Sequence, residues 1–296
     1  IFTDSIQMVV IGILLLISLV YIISFTGSEF SFEFIKKKNP QLLSSSYTSN
    51  YTAGLTFFIA VAATNLFHQG NWQRVYAAKN FETLRKSLII SFFVIIPIVF
   101  YMGFIGMVAF SIDPNTRPDL GFFVLLLKQQ KELLSLFVIV LGLALTISTV
   151  DTLVNAISSL IVVDGKATFN FNKKTNYLNF SKNIILFLSF ISFIIASKGF
   201  DILYLFLLAD LFCCAFVLTV FYSFYDKKMS EKTAFISIVL GLIFGFLLFP
   251  TPDFSKSLLI GIILPNEFFP SFLYQNLLFW SFLVATLGPM ISWKIK

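Results

Sequence analysis

The stretch SLIISFFVIIPIVFYMGFIGMVAFS, residues 87–111, decides the fold class of this chain. It contains no charged residue, and it exceeds the roughly 20 apolar residues that a helix needs to cross a hydrocarbon core of about 30 Å. Strands of a membrane barrel need only about ten residues and alternate between apolar and polar positions. The length and continuity of this run therefore predict a transmembrane helix.

The rest of the chain repeats this pattern. Of its 296 residues, 57% are hydrophobic and only 12% are charged, whereas soluble domains carry about 25% charged residues. We predict an all-α, polytopic membrane protein with about eight transmembrane helices. Their expected ranges are 5–25, 53–70, 87–111, 133–157, 183–197, 200–224, 233–249 and 273–293. The fifth is short, and its tight link to the sixth predicts a helical hairpin.

The charges of the loops predict the orientation. Net positive charge alternates with neutral or negative charge across successive spans. The positive segments are 71–87, 165–182, 225–232 and the tail, and the others are 112–132, 197–201 and 250–272. Because cytoplasmic loops carry an excess of Lys and Arg, we expect a multi-pass protein of the cell membrane with a cytoplasmic C-terminus. Lys36, Lys37 and Lys38 are the exception. Topology explains the net charge of +6 better than nucleic-acid binding does.

The fourth span carries a polar stripe. Its members follow at i, i+3, i+4, i+7 and i+11, which places them on one helix face: Ser148, Asp151, Thr152, Asn155 and Ser159. Hydroxyls alone fit helix–helix contacts equally well, but a carboxylate at membrane depth favours an ion or substrate pathway through Asp151. The adjacent hydroxyls of Ser148 and Thr149, with a backbone carbonyl one turn earlier, are hard oxygen ligands that suit a small cation.

Three further polar groups lie in or beside apolar runs. Asn65, His68 and Gln69 end the second span just before Gly70, where we expect a helix break. A lone histidine is more often a structural hydrogen bonder than a functional one. Asp4 lies at the mouth of the first span, where a carboxylate can simply cap the helix. Asp210 lies deep in the sixth span, so a structural role would require a partner.

The residues that an enzyme would need do not form a recognisable pattern. The sequence has no G-x-S-x-G motif, no glycine-rich phosphate loop and no cluster of His and Cys. The adjacent Cys213 and Cys214 suggest neither a disulfide nor a metal site. We therefore expect neither an enzyme nor an organic cofactor.

Several segments resemble the sodium:solute symporter family, which includes the sodium–glucose, proline and urea transporters. They are FTDSIQ at 2–7, WQRVYAAKN at 72–80, the fourth span with SSLIVVD at 158–164, and the sixth span. The stretch FHQGNWQR is closer to the urea-transporter branch than to the sugar branch. The resemblance implies a LeuT-like inverted-repeat core, here partial over 1–225, with two peripheral C-terminal helices in 226–296 of a single transmembrane domain, 1–296.

The resemblance also implies roles for particular residues. Sodium would bind the carbonyl of Leu145 and the hydroxyls of Ser148 and Thr149. The solute cavity would be lined by Asn65, His68, Gln69 and Asp210, and the ion pathway would include Asp4 and Asp151. The family's first core helix would precede residue 1, so we expect the chain to be the C-terminal part of a longer protein.

We therefore predict symport of a small polar solute by alternating access, with Na⁺ as the co-transported ion and membrane lipid as a partner. A second hypothesis is proton-coupled transport on the same fold, with Asp151 and Asp210 as a relay. A third is a sensor module, since some members of the family are fused to histidine kinases. A fourth is a truncated membrane protein that does not transport. The solute and the oligomeric state stay open.

Overall fold

A computed structural model of the chain describes residues 2–116, 120–128, 132–165, 177–226, 229–263 and 276–293. Within these residues the regular structure is helical, apart from one isolated bridge between Pro250 and Ser257. Each of the eight predicted spans corresponds to a helix or a pair of short helices. The prediction of an all-helical polytopic protein is confirmed.

In chain order the helices are α1 (Phe2–Thr26), α2 (Phe32–Lys38), α3 (Thr48–Phe67), α4 (Gln69–Tyr76), α5 (Phe81–Ile112), α6 (Gly121–Leu127), α7 (Glu132–Ser159), α8 (Tyr177–Ser197), α9 (Ile202–Tyr225), α10 (Glu231–Leu248), α11 (Ile260–Ile263), α12 (Leu277–Leu287) and α13 (Met290–Trp293). Short 3₁₀ turns cover Gly27–Glu29 and Pro40–Leu43, and a π-helical turn, Leu160–Asp164, follows α7.

Six of these segments are long and apolar enough to cross a membrane, and they contain α1, α5, α7, α8, α9 and α10. The apolar segment Leu277–Trp293 is shorter, and α3 has 20 residues with hydroxyls and amides near both ends. The fifth span is longer than predicted, because α8 begins at Tyr177 and so includes Lys182. A lysine one or two turns from a helix end can extend its ammonium group toward the interface.

The chain folds as two compact units. The first contains Ile1–Ser44 and Trp72–Ile194, and the second contains Ser45–Asn71 and Ile195–Lys296. The expected division into a core over 1–225 and two peripheral helices stays a prediction.

The core of the first unit joins α1, α2, α5 and α6 through buried aliphatic side chains such as Ile22, Ile35 and Ile105. Polar contacts reinforce it, since the hydroxyls of Ser18 and Tyr101 lie 3.1 Å apart between α1 and α5. Pro97 interrupts the hydrogen bonding of α5. The half of α5 before Pro97 is largely exposed, and the half after it carries the buried residues.

The second unit is organised around α9, which packs against α3, α10 and α12. Close approach depends on two glycines of α10. A Cβ atom at Gly241 would lie 2.8 Å from the carbonyl oxygen of Ala285, and one at Gly245 would lie 2.9 Å from the Ala285 Cβ. Only glycine leaves room for α12 at these positions. The resulting core includes Leu207 and Leu211 of α9.

Candidate functional site

The predicted helix break in the second span is present, but it lies at a different residue. Helix α3 ends at Phe67, and His68 has an extended backbone with φ −71° and ψ 105°. The next helix, α4, begins at Gln69, so Gly70 lies inside it and is buried. The expectation that Gly70 forms the break is wrong, because Gly70 continues the helical turn of α4 while the extended backbone of His68 interrupts the helix.

An amide cluster holds this break together. Nδ2 of Asn71 donates to Oδ1 of Asn65 at 3.0 Å, and Nδ2 of Asn65 donates to the carbonyl of Val61 at 2.8 Å. Nδ1 of His68 is buried and, within the described part of the chain, has no hydrogen-bond partner. Gln69 is half-buried. Because buried polar atoms normally have partners, the imidazole of His68 is a candidate for binding a ligand or water.

Asp210 has the partner that its depth requires. It is buried on α9, and Oγ1 of Thr64 on α3 donates a short hydrogen bond to its Oδ1. Thr64 immediately precedes Asn65 and lies four residues before His68, which is one turn along the helix. Asp210 is thus joined to the last turn of α3, next to the break at which the other predicted solute ligands lie.

Thr64 was not among the residues predicted for the site. The available signal was the need of a buried carboxylate for a donor, together with a threonine next to residues already proposed for the same cavity. What sequence could not supply was the pairing of two positions 146 residues apart.

The three predicted sodium ligands lie on one turn of α7 in the first unit. Oγ1 of Thr149 donates to the carbonyl of Leu145 at 3.0 Å, so these two oxygens are adjacent. Thr149 is exposed, and Ser148 and Leu145 are half-buried. The carbonyl of Ser148 accepts from Oγ1 of Thr152 at 3.0 Å. The turn presents a carbonyl and two hydroxyl groups, which are the hard oxygen donors that small cations prefer.

The remaining part of the polar stripe on α7 is also accessible. Asp151 and Asn155 are exposed, and Nδ2 of Asn155 donates to Oδ1 of Asp151 at 3.3 Å. Nε2 of Gln73 on α4 reaches the carbonyl of Asn155 at 3.4 Å. Asp4, predicted for the ion pathway, lies in the first turns of α1, and its side chain is outside the described part of the structure.

Metal centres built from acidic, histidine or cysteine side chains are not formed by the described residues, where no group of three or more such residues comes together. Cys213 and Cys214 are free thiols.

A family model described as the sodium:solute symporter family matches residues 1–241. No curated protein and no solved structure matches the chain.

Proposed function

Because the chain belongs to the sodium:solute symporter family, we propose that it takes part in sodium-coupled symport of a small polar solute by alternating access. Membership makes it part of a solute transporter, and the six apolar segments agree with an integral, multi-pass membrane protein. The proposal adds the residues that bind the ion and the solute, and a cytoplasmic C-terminus based on the loop charges.

The observation that carries the proposal is the oxygen-rich turn of α7. The carbonyl of Leu145 and the hydroxyl of Thr149 are adjacent and accessible, and Ser148 is the neighbouring residue. The hydroxyls of Thr149 and Thr152 are bonded within their own helix. A cation can take the lone pairs of such oxygens without separating two packed helices.

The solute would bind at the break between α3 and α4. Asn65, His68 and Gln69 offer both donors and acceptors, and Asp210 adds a carboxylate through its bond with Thr64. Sodium would couple to the solute by binding one conformation more tightly than the other, which shifts the population toward the state that admits the solute.

Equilibrium binding of radioactive sodium to the purified full-length protein tests the ion site without knowledge of the solute. Thr149→Val removes the hydroxyl and keeps the shape, and we expect a loss of sodium affinity of about tenfold or more, since removal of even an outer-shell group costs about 10–100-fold. Thr146→Val is the matched control, because Thr146 is also exposed on α7 and bonds the carbonyl of Gly142 at 2.8 Å. Equal sodium affinities in the two variants would contradict the site.

The buried Asp210–Thr64 pair favours a second candidate, coupling to protons. A carboxylate that exchanges a proton as the two helices separate could drive transport without sodium. Uptake of a panel of labelled polar solutes into proteoliposomes distinguishes the two. Uptake that follows a sodium gradient at constant pH supports symport with sodium, and uptake that follows a pH gradient and ignores sodium supports the second candidate.

A further inference from the structure

A cleft of about 240 Å³ lies in the second unit, at the end of α3 opposite His68. Thr56, which lines it, is twelve positions before His68, or about 18 Å along the helix at ~1.5 Å per residue. The cleft is therefore separate from the proposed solute site. Its polar and aromatic lining residues are Ser49, Thr52, Thr56, Asn276, Phe254 and Phe279.

A hydrogen bond across the cleft links its two walls. Oγ1 of Thr52 on α3 donates to Oδ1 of Asn276, just before α12, at 2.7 Å. The hydroxyl oxygen of Thr52 keeps lone pairs that can accept from a ligand. No charged side chain is among the described residues that line the cleft. These described residues offer a charged ligand no counterion in exchange for its lost hydration, so they suit an uncharged molecule.

One wall of the cleft is a strained aromatic residue. Phe254 has φ +55°, a conformation that costs a non-glycine residue energy and that persists only where the surrounding structure enforces it. Phe254 lies in a compact loop, which is closed by a hydrogen bond of 2.7 Å from the amide of Leu258 to the carbonyl of Phe249. The ring of Tyr204 meets that of Phe254 edge-on, with centroids 6.1 Å apart. The Phe254 ring is nevertheless partly exposed at the cleft.

We propose that this cleft is a second small-molecule site, which binds an uncharged solute with an amide or hydroxyl group and a flat apolar edge. The polar edge would bond to Thr52 and Asn276, and the flat edge would contact Phe254 and Phe279. Drug-sized ligands occupy about 300–1,000 Å³, so the cleft holds a smaller molecule. The inference does not depend on sodium coupling.

Nicotinamide is a suitable probe, because it is flat, uncharged, very soluble and carries one amide. Saturation-transfer NMR on the purified full-length protein in sodium-free buffer measures its binding. We expect saturable binding of nicotinamide. The affinity for nicotinate, which has the same shape and a negative charge, should be lower by at least about tenfold.

Thr52→Val should weaken nicotinamide binding about tenfold, the scale of one lost hydrogen bond. Thr286→Val is the matched control in the same unit, because the Thr286 hydroxyl bonds a backbone carbonyl of its own helix, that of Phe282, at 2.8 Å. Phe254→Gly is a second variant that removes the ring while keeping a residue for which φ +55° is unstrained, and it should also weaken binding.

Three results would overturn the proposal: no saturable signal, equal binding of nicotinate, or Thr52→Val and Phe254→Gly proteins that bind nicotinamide like the Thr286→Val control. If Thr52→Val does not fold, Phe254→Gly decides the outcome. Sodium binding is measured in a separate experiment. Failure of the cleft proposal can therefore be distinguished from failure of the proposed sodium site. A protein that binds sodium but not nicotinamide would contradict only the cleft.

Discussion

Helices α7 and α9 are both long and apolar, and each carries one aspartate, but the two aspartates have different surroundings. In the most apolar stretch of α9, 44% of the residues are buried, compared with 11% in that of α7. Asp210 on α9 is bonded to Thr64 of another helix, whereas Asp151 on α7 is exposed and bonded to Asn155 of its own helix. Asp210 thus takes part in a bond between two helices of the second unit, while Asp151 stays exposed on α7. The first arrangement connects two helices, and the second leaves the carboxylate exposed.

The largest expected effect tests the packing around α9. In Gly241→Leu, the added Cβ atom would lie 2.8 Å from the carbonyl oxygen of Ala285. The rest of the leucine side chain would then press against α12. Overpacking costs about 1–3 kcal/mol or more, so we expect a loss of about 3 kcal/mol in the free energy of unfolding. Thermal unfolding in detergent measures it. Gly142→Leu on α7 is the control, because nothing lies within 4 Å of that position, and equal shifts in the two variants would contradict the contrast.

The next effect concerns the buried carboxylate. Thr64→Val removes the described hydroxyl donor to Asp210. Hydrogen bonds to charged groups contribute about 1.5–3 kcal/mol, and interhelical bonds in membranes reach about 1.7 kcal/mol, so we expect a loss near ~1.5 kcal/mol. Thr146→Val removes a hydroxyl that bonds the carbonyl of Gly142 in its own helix, and it should change little. The comparison of α7 with α9 fails if both variants unfold at the same temperature.

A smaller effect is expected at a neutral bond between helices. Oγ of Ser281 on α12 donates to the carbonyl of Gly245 on α10 at 2.8 Å, and the bond is buried. Ser281→Ala should cost about 0.6 kcal/mol, the average for such bonds in membrane proteins. Ser24→Ala on α1 is its control, because Ser24 is exposed and bonds the carbonyl of Val20 within one helix. A shift in the control as large as in Ser281→Ala would refute the distinction.

The smallest effect lies in the loop between α10 and α11. Hydrogen bonds from the hydroxyls of Ser255 and Thr251 lower the pKa of Asp253 to about 2. Because this value lies below the ordinary pKa of 3.8, the loop gains stability above about pH 4 and loses it as the pH falls toward 2. Limited proteolysis across this range should show cleavage rising at low pH. Asp253→Asn should remove the pH dependence, and an unchanged pH profile in that variant would argue against the carboxylate.

Much of the fold follows from the sequence, because the bilayer imposes a strong rule on length and polarity. The run 87–111 predicted α5, which spans Phe81–Ile112, and the fourth span closely matches α7. The start of α8 was misplaced because Lys182 resembles a loop residue, although a long side chain allows it inside a helix end.

The candidate sites were harder to predict. Sequence periodicity placed Ser148 and Asp151 on one face of α7, because helical spacing is local. It placed the break of the second span at Gly70, two residues after its position at His68, since the conformation of His68 depends on tertiary packing. Thr64 was missed for the same reason, because local spacing does not show which hydroxyl will face a carboxylate on a distant helix. The residues assigned to sodium and solute stay predictions until binding is measured.

The proline in α5 has a mechanical consequence. Pro97 cannot donate the hydrogen bond that the carbonyl of Phe93 would otherwise accept within the helix. The segment beyond it is anchored by buried side chains such as Ile105 and Val108, whereas the segment before it is largely exposed. A bend at Pro97 would therefore leave the packed half of α5 undisturbed and would displace only the half that makes few buried contacts.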